Sequence, residues 1–183
     1  MAPASDLTAL ASSLEDMPGG SLFGSYVVQS YAQNYPDVKL DDYIKLQGRL
    51  PIREMAGRCL SSPSLSVSVL EAVFIGNKFY AQSPDSGALG RHLAENTMRT
   101  RLDMPLLLAQ GDVDTVINPK SQVAYAGDQC RLGSDTEFHM YPGKDHLTLV
   151  ADGSPAIDRM LAWTRDRIDA APTTPNCGST PAG

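Results

Sequence analysis

The chain has 183 residues, 42% hydrophobic and 20% charged, which is the texture of an ordinary globular chain with a real core and not of a disordered or collagenous one. Its 15 Lys and Arg against 21 Asp and Glu leave a net charge of −6 without any basic block, which argues against nucleic acid and anionic membrane surfaces as partners. No apolar run approaches the roughly 20 residues of a bilayer-spanning helix, so no transmembrane segment is expected. The opening residues do not read as a signal peptide.

Residues 1–100 read as short helices separated by Gly and Pro breaks, a mainly helical region. Ser5 caps a helix with Leu7, Leu10, Ala11 and Leu14 on one face, stopped at Pro18–Gly19–Gly20. Next, Leu22, Phe23, Tyr26, Val27, Ser30 and Tyr31 recur at helical spacing up to the Pro36 stop as one face of a surface helix, and Phe23, Tyr26 and Tyr31 fit a packed core or an open apolar surface equally. Shorter helices are expected over Asp41–Gln47 and Pro51–Cys59, and Val67–Ile75 fits strand or helix equally.

From residue 101 the pattern changes. Pro105–Gln110 is a compact apolar run ending at Gly111, which fits a fully buried strand of a parallel sheet. Asn118–Pro119 opens a helix that stops at Gly133, Thr136–Tyr141 alternates as a strand, and Pro142–Gly143 ends it. Ser154–Pro155 opens a last helix with Ile157, Met160, Leu161, Thr164 and Ile168 in a stripe beside Trp163, followed from about residue 170 by a loose tail. Strand, helix, strand implies two parallel strands with a right-handed crossover.

Side chains that do chemistry in such sheets lie on loops beyond the carboxyl ends of the strands. One such loop holds Asp112 and Asp114, the other holds Asp145 and His146. An acid from the first can orient the imidazole of the second, the acid-and-base half of a hydrolytic triad. A calcium loop starting at Asp112 fails, because Val116 offers no ligand and Ile117 stands where a glycine is needed. His92 and His139 read as packed or solvated side chains, and Asp145 as a carboxylate that shapes its turn. Three cysteines, Cys59, Cys130 and Cys177, have neither zinc nor C-x-x-C spacing. A Cys130–Cys177 bond would hold the tail in an oxidising compartment, and three reduced thiols are the alternative.

Leu93–Ala94–Glu95–Asn96, Met104 to Gly111, Asp114–Thr115–Val116, Cys130, Tyr141–Pro142–Gly143, Asp145–His146–Leu147, Trp163 to Arg167 and Cys177 together resemble the secretory lipase family of α/β-hydrolases. The resemblance is strongest over residues 90–180. It implies the C-terminal part of an α/β-hydrolase fold over residues 101–183, preceded by a helical cap or lid over residues 1–100. It also implies an extracellular ester hydrolase acting on lipid or ester substrates at a lipid–water interface. Asp114 would be the acid, because that family's acid precedes an x-Val step, and His146 the general base. Neither cofactor nor metal is implied.

A G-x-S-x-G nucleophile elbow is missing: the only glycines four apart, Gly20 and Gly24, are centred on Leu22. The resemblance places Met1–Leu7 after the family's elbow, with the serine outside this chain, and Cys59 without its usual partner. The chain alone is then expected to be inactive. Two alternatives are a non-catalytic or split module that needs a partner chain, and a peptidase or other acyl hydrolase of the same fold.

Overall fold

A computed structural model describes residues 5–60 and 62–179. It forms two compact units, one spanning Leu7–Thr97 and the other the described chain from Met98 onward with Ser5 and Asp6.

Every named element of the first unit is a helix: α1 (Leu7–Ser13), α2 (Gly20–Asn34), α3 (Leu40–Tyr43), α4 (Arg49–Ala56), α5 (Leu65–Ile75) and α6 (Gly87–Glu95), with short 3-10 turns at Leu14–Asp16 and Leu46–Gly48. Among the described residues an isolated antiparallel bridge, Ile44 to Tyr80, interrupts this pattern. Leu14, Val28, Ile44, Ile52, Met55, Phe79, Leu89 and Leu93 are the largest of its fully buried apolar side chains among the described residues.

The inner face of α2 takes in only part of the apolar stripe. Ser21, Leu22, Gly24, Ser25 and Val28 are buried, whereas Phe23, Tyr26, Val27 and Tyr31 are only half-buried and Ser30 is exposed. Small residues let neighbouring backbone come close: the Ser21 hydroxyl donates to the Ala72 carbonyl of α5 at 3.3 Å. The Phe79 ring occupies the space beside Gly24, where an added Cβ would lie 2.5 Å from Cζ. Size complementarity between helices, and not apolar periodicity alone, chose this face. The open Val67–Ile75 segment is helical within α5, with Ser68 and Ala72 inward and Leu70, Val73 and Phe74 exposed.

The second unit contains β1 (Leu106–Gly111), α7 (Pro119–Arg131), β2 (Thr136–Tyr141) and α8 (Pro155–Ile168). The two strands pair in parallel, from Leu106 opposite Thr136 to Gly111 opposite Tyr141, with α7 as the crossover. Asn118 caps α7 by accepting the Lys120 N–H at 3.0 Å, and Pro119 occupies the first turn, where its missing N–H costs nothing. Val123, Ala126 and Phe138 form the core between α7 and the sheet, with Leu108 and Met140 packed against it.

One expectation is corrected here, and one apolar face lies largely open. β1 is not fully buried: Leu106 to Ala109 are half-buried, and only Gln110 and Gly111 are enclosed. The α8 stripe is largely exposed, at Met160, Leu161 and Ile168, and Ala156 is the residue it buries. The reason is width. Two strands about 4.8 Å apart make a layer narrower than one helix with its side chains, roughly 10 Å across, so neither strand nor helix finds full cover.

The tail expected from about residue 170 is tied to β2. The Asn176 N–H donates to the Thr136 carbonyl at 3.1 Å. The Asn176 carboxamide accepts the Phe138 N–H and donates to the Phe138 carbonyl, both at 2.8 Å. A disulfide joins Cys130 of α7 to Cys177. Among the described residues, no helix is long and apolar enough to cross a membrane.

Candidate functional site

The loops leaving β1 and β2 run side by side at the carboxyl end of the sheet. The Asp112 N–H reaches the Tyr141 carbonyl at 3.3 Å and the Val113 N–H reaches the Lys144 carbonyl at 3.2 Å. Gly111 is required for this approach, since a Cβ there would overlap the Lys144 main-chain carbonyl. Asp112 does not touch a histidine. Its carboxylate accepts the Gly143 N–H at 2.7 Å and so ties one loop to the other.

Asp114 points inward, with its side chain fully buried. Oδ1 accepts the Val116 and Ile117 N–H groups, each at 2.8 Å. Oδ2 accepts from Gln110 Nε2 at 3.2 Å and pairs with His146 Nδ1 at 3.0 Å. Four donors on two oxygens suit a carboxylate acting as acceptor only. Because Asp114 can only accept, Nδ1 carries the proton, which leaves the lone pair of the neutral ring on Nε2. Among the described residues no hydroxyl or other group hydrogen-bonds to Nε2, and the His146 side chain is 21% exposed.

Asp145 organises the turn that carries His146. Its Oδ1 accepts the Leu147 N–H at 3.0 Å, and the Thr148 N–H and hydroxyl at 2.8 Å each. The Thr148 N–H above all, then the Thr148 hydroxyl and the Leu147 N–H, hold the Asp145 carboxyl below the usual carboxylate range. The 3-10 turn Thr148–Val150 follows directly.

The other two histidines are not lone side chains. His92 Nε2 meets Asp37 at 2.9 Å and Nδ1 meets Glu95 at 2.8 Å, while the ring stacks on Tyr35 with centroids 3.8 Å apart. The hydrogen bond to Asp37, then that to Glu95, raises the His92 pKa. His139 Nε2 meets Glu137 at 2.6 Å, and Glu137 also accepts from Arg159 Nε at 2.7 Å. The His92 partnership with Glu95 had a sequence signal, the i,i+3 spacing on one helix; the contact with Asp37 had none. Among the described residues no cluster of three or more His, Cys, Asp or Glu is arranged to hold a metal ion.

No protein-family model and no curated protein matches this sequence. Among solved structures, Candida antarctica lipase A in its closed state superposes with a TM-score of 0.73, at 18% identity, over 97% of this chain and 43% of that one. At that identity the likeness is one of fold. The chain folds like part of a lipase, mixing helices with a small parallel sheet, and it spans less than half the length of that lipase.

Proposed function

We propose that this chain carries the acid and base of a Ser–Asp–His carboxylic ester hydrolase of the secreted triacylglycerol-lipase type, with the serine supplied from outside these residues. The observation that carries the reading is the 3.0 Å pair between His146 Nδ1 and buried Asp114, with Nε2 open on the other side of the ring. In that reaction Nε2 takes the proton of the attacking serine hydroxyl and returns it to the leaving alkoxide, and Asp114 stabilises the imidazolium between the two transfers. The lipase-like fold supports a hydrolase of ester bonds, and the Cys130–Cys177 disulfide supports an oxidising, extracellular setting. On this reading Leu7–Thr97 serves as cap or lid, and the second unit as the C-terminal portion of an α/β-hydrolase.

The test begins with genomic DNA upstream of the Met1 codon, translated in all three forward frames. A strand followed by G-x-S-x-G is expected there, and the polypeptide joining it to this chain hydrolyses a p-nitrophenyl ester while the 183 residues alone do not. In the joined polypeptide His146→Ala lowers kcat by about 10⁴-fold or more, and Asp114→Asn by about 10⁴-fold through the wrong tautomer. Hydrolysis indifferent to both substitutions refutes the assignment.

A further inference from the structure

We infer that Gln110 is a positioning residue for the acid: its carboxamide holds Asp114 Oδ2 in line with His146 Nδ1. The inference rests on the reading of Asp114 and His146 as acid and base. Gln110 is the last residue but one of β1, and it is completely buried although Leu106 to Ala109 before it are only half-buried. The deepest side chain of the strand is therefore polar, in a place where a hydrocarbon of the same length would fill the space.

Its surroundings explain the choice. Nε2 faces three oxygens: the Gly111 carbonyl at 3.0 Å, Asp114 Oδ2 at 3.2 Å and the Ile117 carbonyl at 3.3 Å. Turning the amide over would set its oxygen against all three, so the orientation is forced by chemistry. A glutamate would present acceptors to acceptors and a negative charge to a carboxylate. Oε1, meanwhile, is buried and meets no donor among the described residues. A buried acceptor left unmatched is a standing cost, and the donor end is what the residue supplies in return.

The effect on Asp114 is directional. The Val116 and Ile117 N–H groups anchor Oδ1, which fixes one oxygen but leaves the carboxylate free to pivot about it. Gln110 is the second anchor, on the same oxygen that His146 uses. Its contacts with the Gly111 and Ile117 carbonyls also tie together the two ends of the loop that presents the acid. Losing the amide thus releases Oδ2 while the main-chain anchors keep Asp114 in its loop.

The test is proton NMR of the full ¹⁵N-labelled chain at a pH where His146 is protonated. The His146 Nδ1–H, hydrogen-bonded to the buried Asp114 carboxylate, is expected far downfield of the amide region, assigned by its disappearance in His146→Ala. Gln110→Met, which keeps length but removes the donor, loses that resonance to exchange with water. Val123→Ala, which loosens the core beside α7 without touching the carboxylate, retains it. A Gln110→Met chain that keeps the resonance at its wild-type position and exchange rate overturns the inference. If that variant does not fold, the wild-type Gln110 side-chain NH₂ protons decide: slow exchange and a shift that follows His146 titration support the role, and exchange like an exposed glutamine overturns it. A folded wild-type chain lacking the downfield proton overturns the acid–base reading itself, whatever Gln110 does.

Discussion

Removing the Cys130–Cys177 bond should destabilise the sheet-containing unit through the unfolded chain, because the folded tail keeps its other contacts. The bond closes a loop with a sequence separation of 47. Chain-entropy arithmetic for that length gives about 4 kcal/mol, a large part of the roughly 5–15 kcal/mol that stabilises a typical domain. In the folded state Asn176 remains clamped on Phe138 and Thr136, so the native contacts of wild type and variant differ little. The perturbation is the double variant Cys130→Ser/Cys177→Ser, preferable to a reductant because it leaves the exposed thiol Cys59 unaltered. The chain has one tryptophan, Trp163 on α8, with the Arg167 guanidinium 5.1 Å from its ring centre, so fluorescence reports this unit and not the helical one. With a urea slope of about 1–2 kcal/mol/M for a unit of this size, the midpoint should fall by roughly 2–4 M. Coincident unfolding curves for wild type and variant would refute the reasoning, and would mean that the tail restricts the unfolded chain little or that its side-chain contacts already suffice.

Two further outcomes follow from the loops and from His92. Gly111→Ala should cost about 2–4 kcal/mol, since its Cβ forces the Lys144 carbonyl away and strains the Asp112–Gly143 and Val113–Lys144 hydrogen bonds; an unchanged urea midpoint by Trp163 fluorescence would show that the loops yield freely. The His92 pKa is raised in the folded state, first by Asp37 and then by Glu95, so its contribution is fully present below the unfolded value of about 6.5 and is lost as pH rises through the folded value. Circular dichroism of urea unfolding should therefore show the helical unit weakening as pH climbs above about 6.5, and His92→Gln should flatten that dependence; equal slopes in the two chains would refute it.

Element boundaries were legible where the chain carries its own stops. Pro18–Gly19 precedes α2, Asn118–Pro119 opens α7, and Ser154–Pro155 opens α8, because these residues set dihedrals and remove donors locally. Inner faces were less legible. Burial is a property of two surfaces: the Phe23 and Tyr31 stripe of α2 lost to Ser21, Gly24 and Ser25, whose small size admits the Phe79 ring and the backbone of α5. The exposed α8 stripe reflects the same dependence, since periodicity shows that a face is apolar and not what lies against it. In the site, Asp114 and His146 could be singled out as candidates because each follows a strand within a few residues. Gln110 stood in the sequence only as part of a Q-G-x-x-D run with Asp114, which marks the position and not a role; the role exists only once Gly111, Asp114 and Ile117 surround it.

Pairing with a carboxylate does not by itself single out a base in this chain, since each of its three histidines has such a partner. What separates them is the nitrogen left over and the charge already compensated. His92 spends both ring nitrogens on carboxylates, which leaves neither of them open to a substrate. His139 leans on Glu137, whose charge the Arg159 guanidinium already neutralises, and both lie within β2 and not on the loops beyond it. His146 alone combines a buried carboxylate whose other donors are uncharged, a place beyond the end of a parallel strand, and an Nε2 without a partner among the described residues. A general base needs all three conditions together: an ionic partner to stabilise the imidazolium, a fixed tautomer, and an open lone pair facing the position where a hydroxyl would arrive.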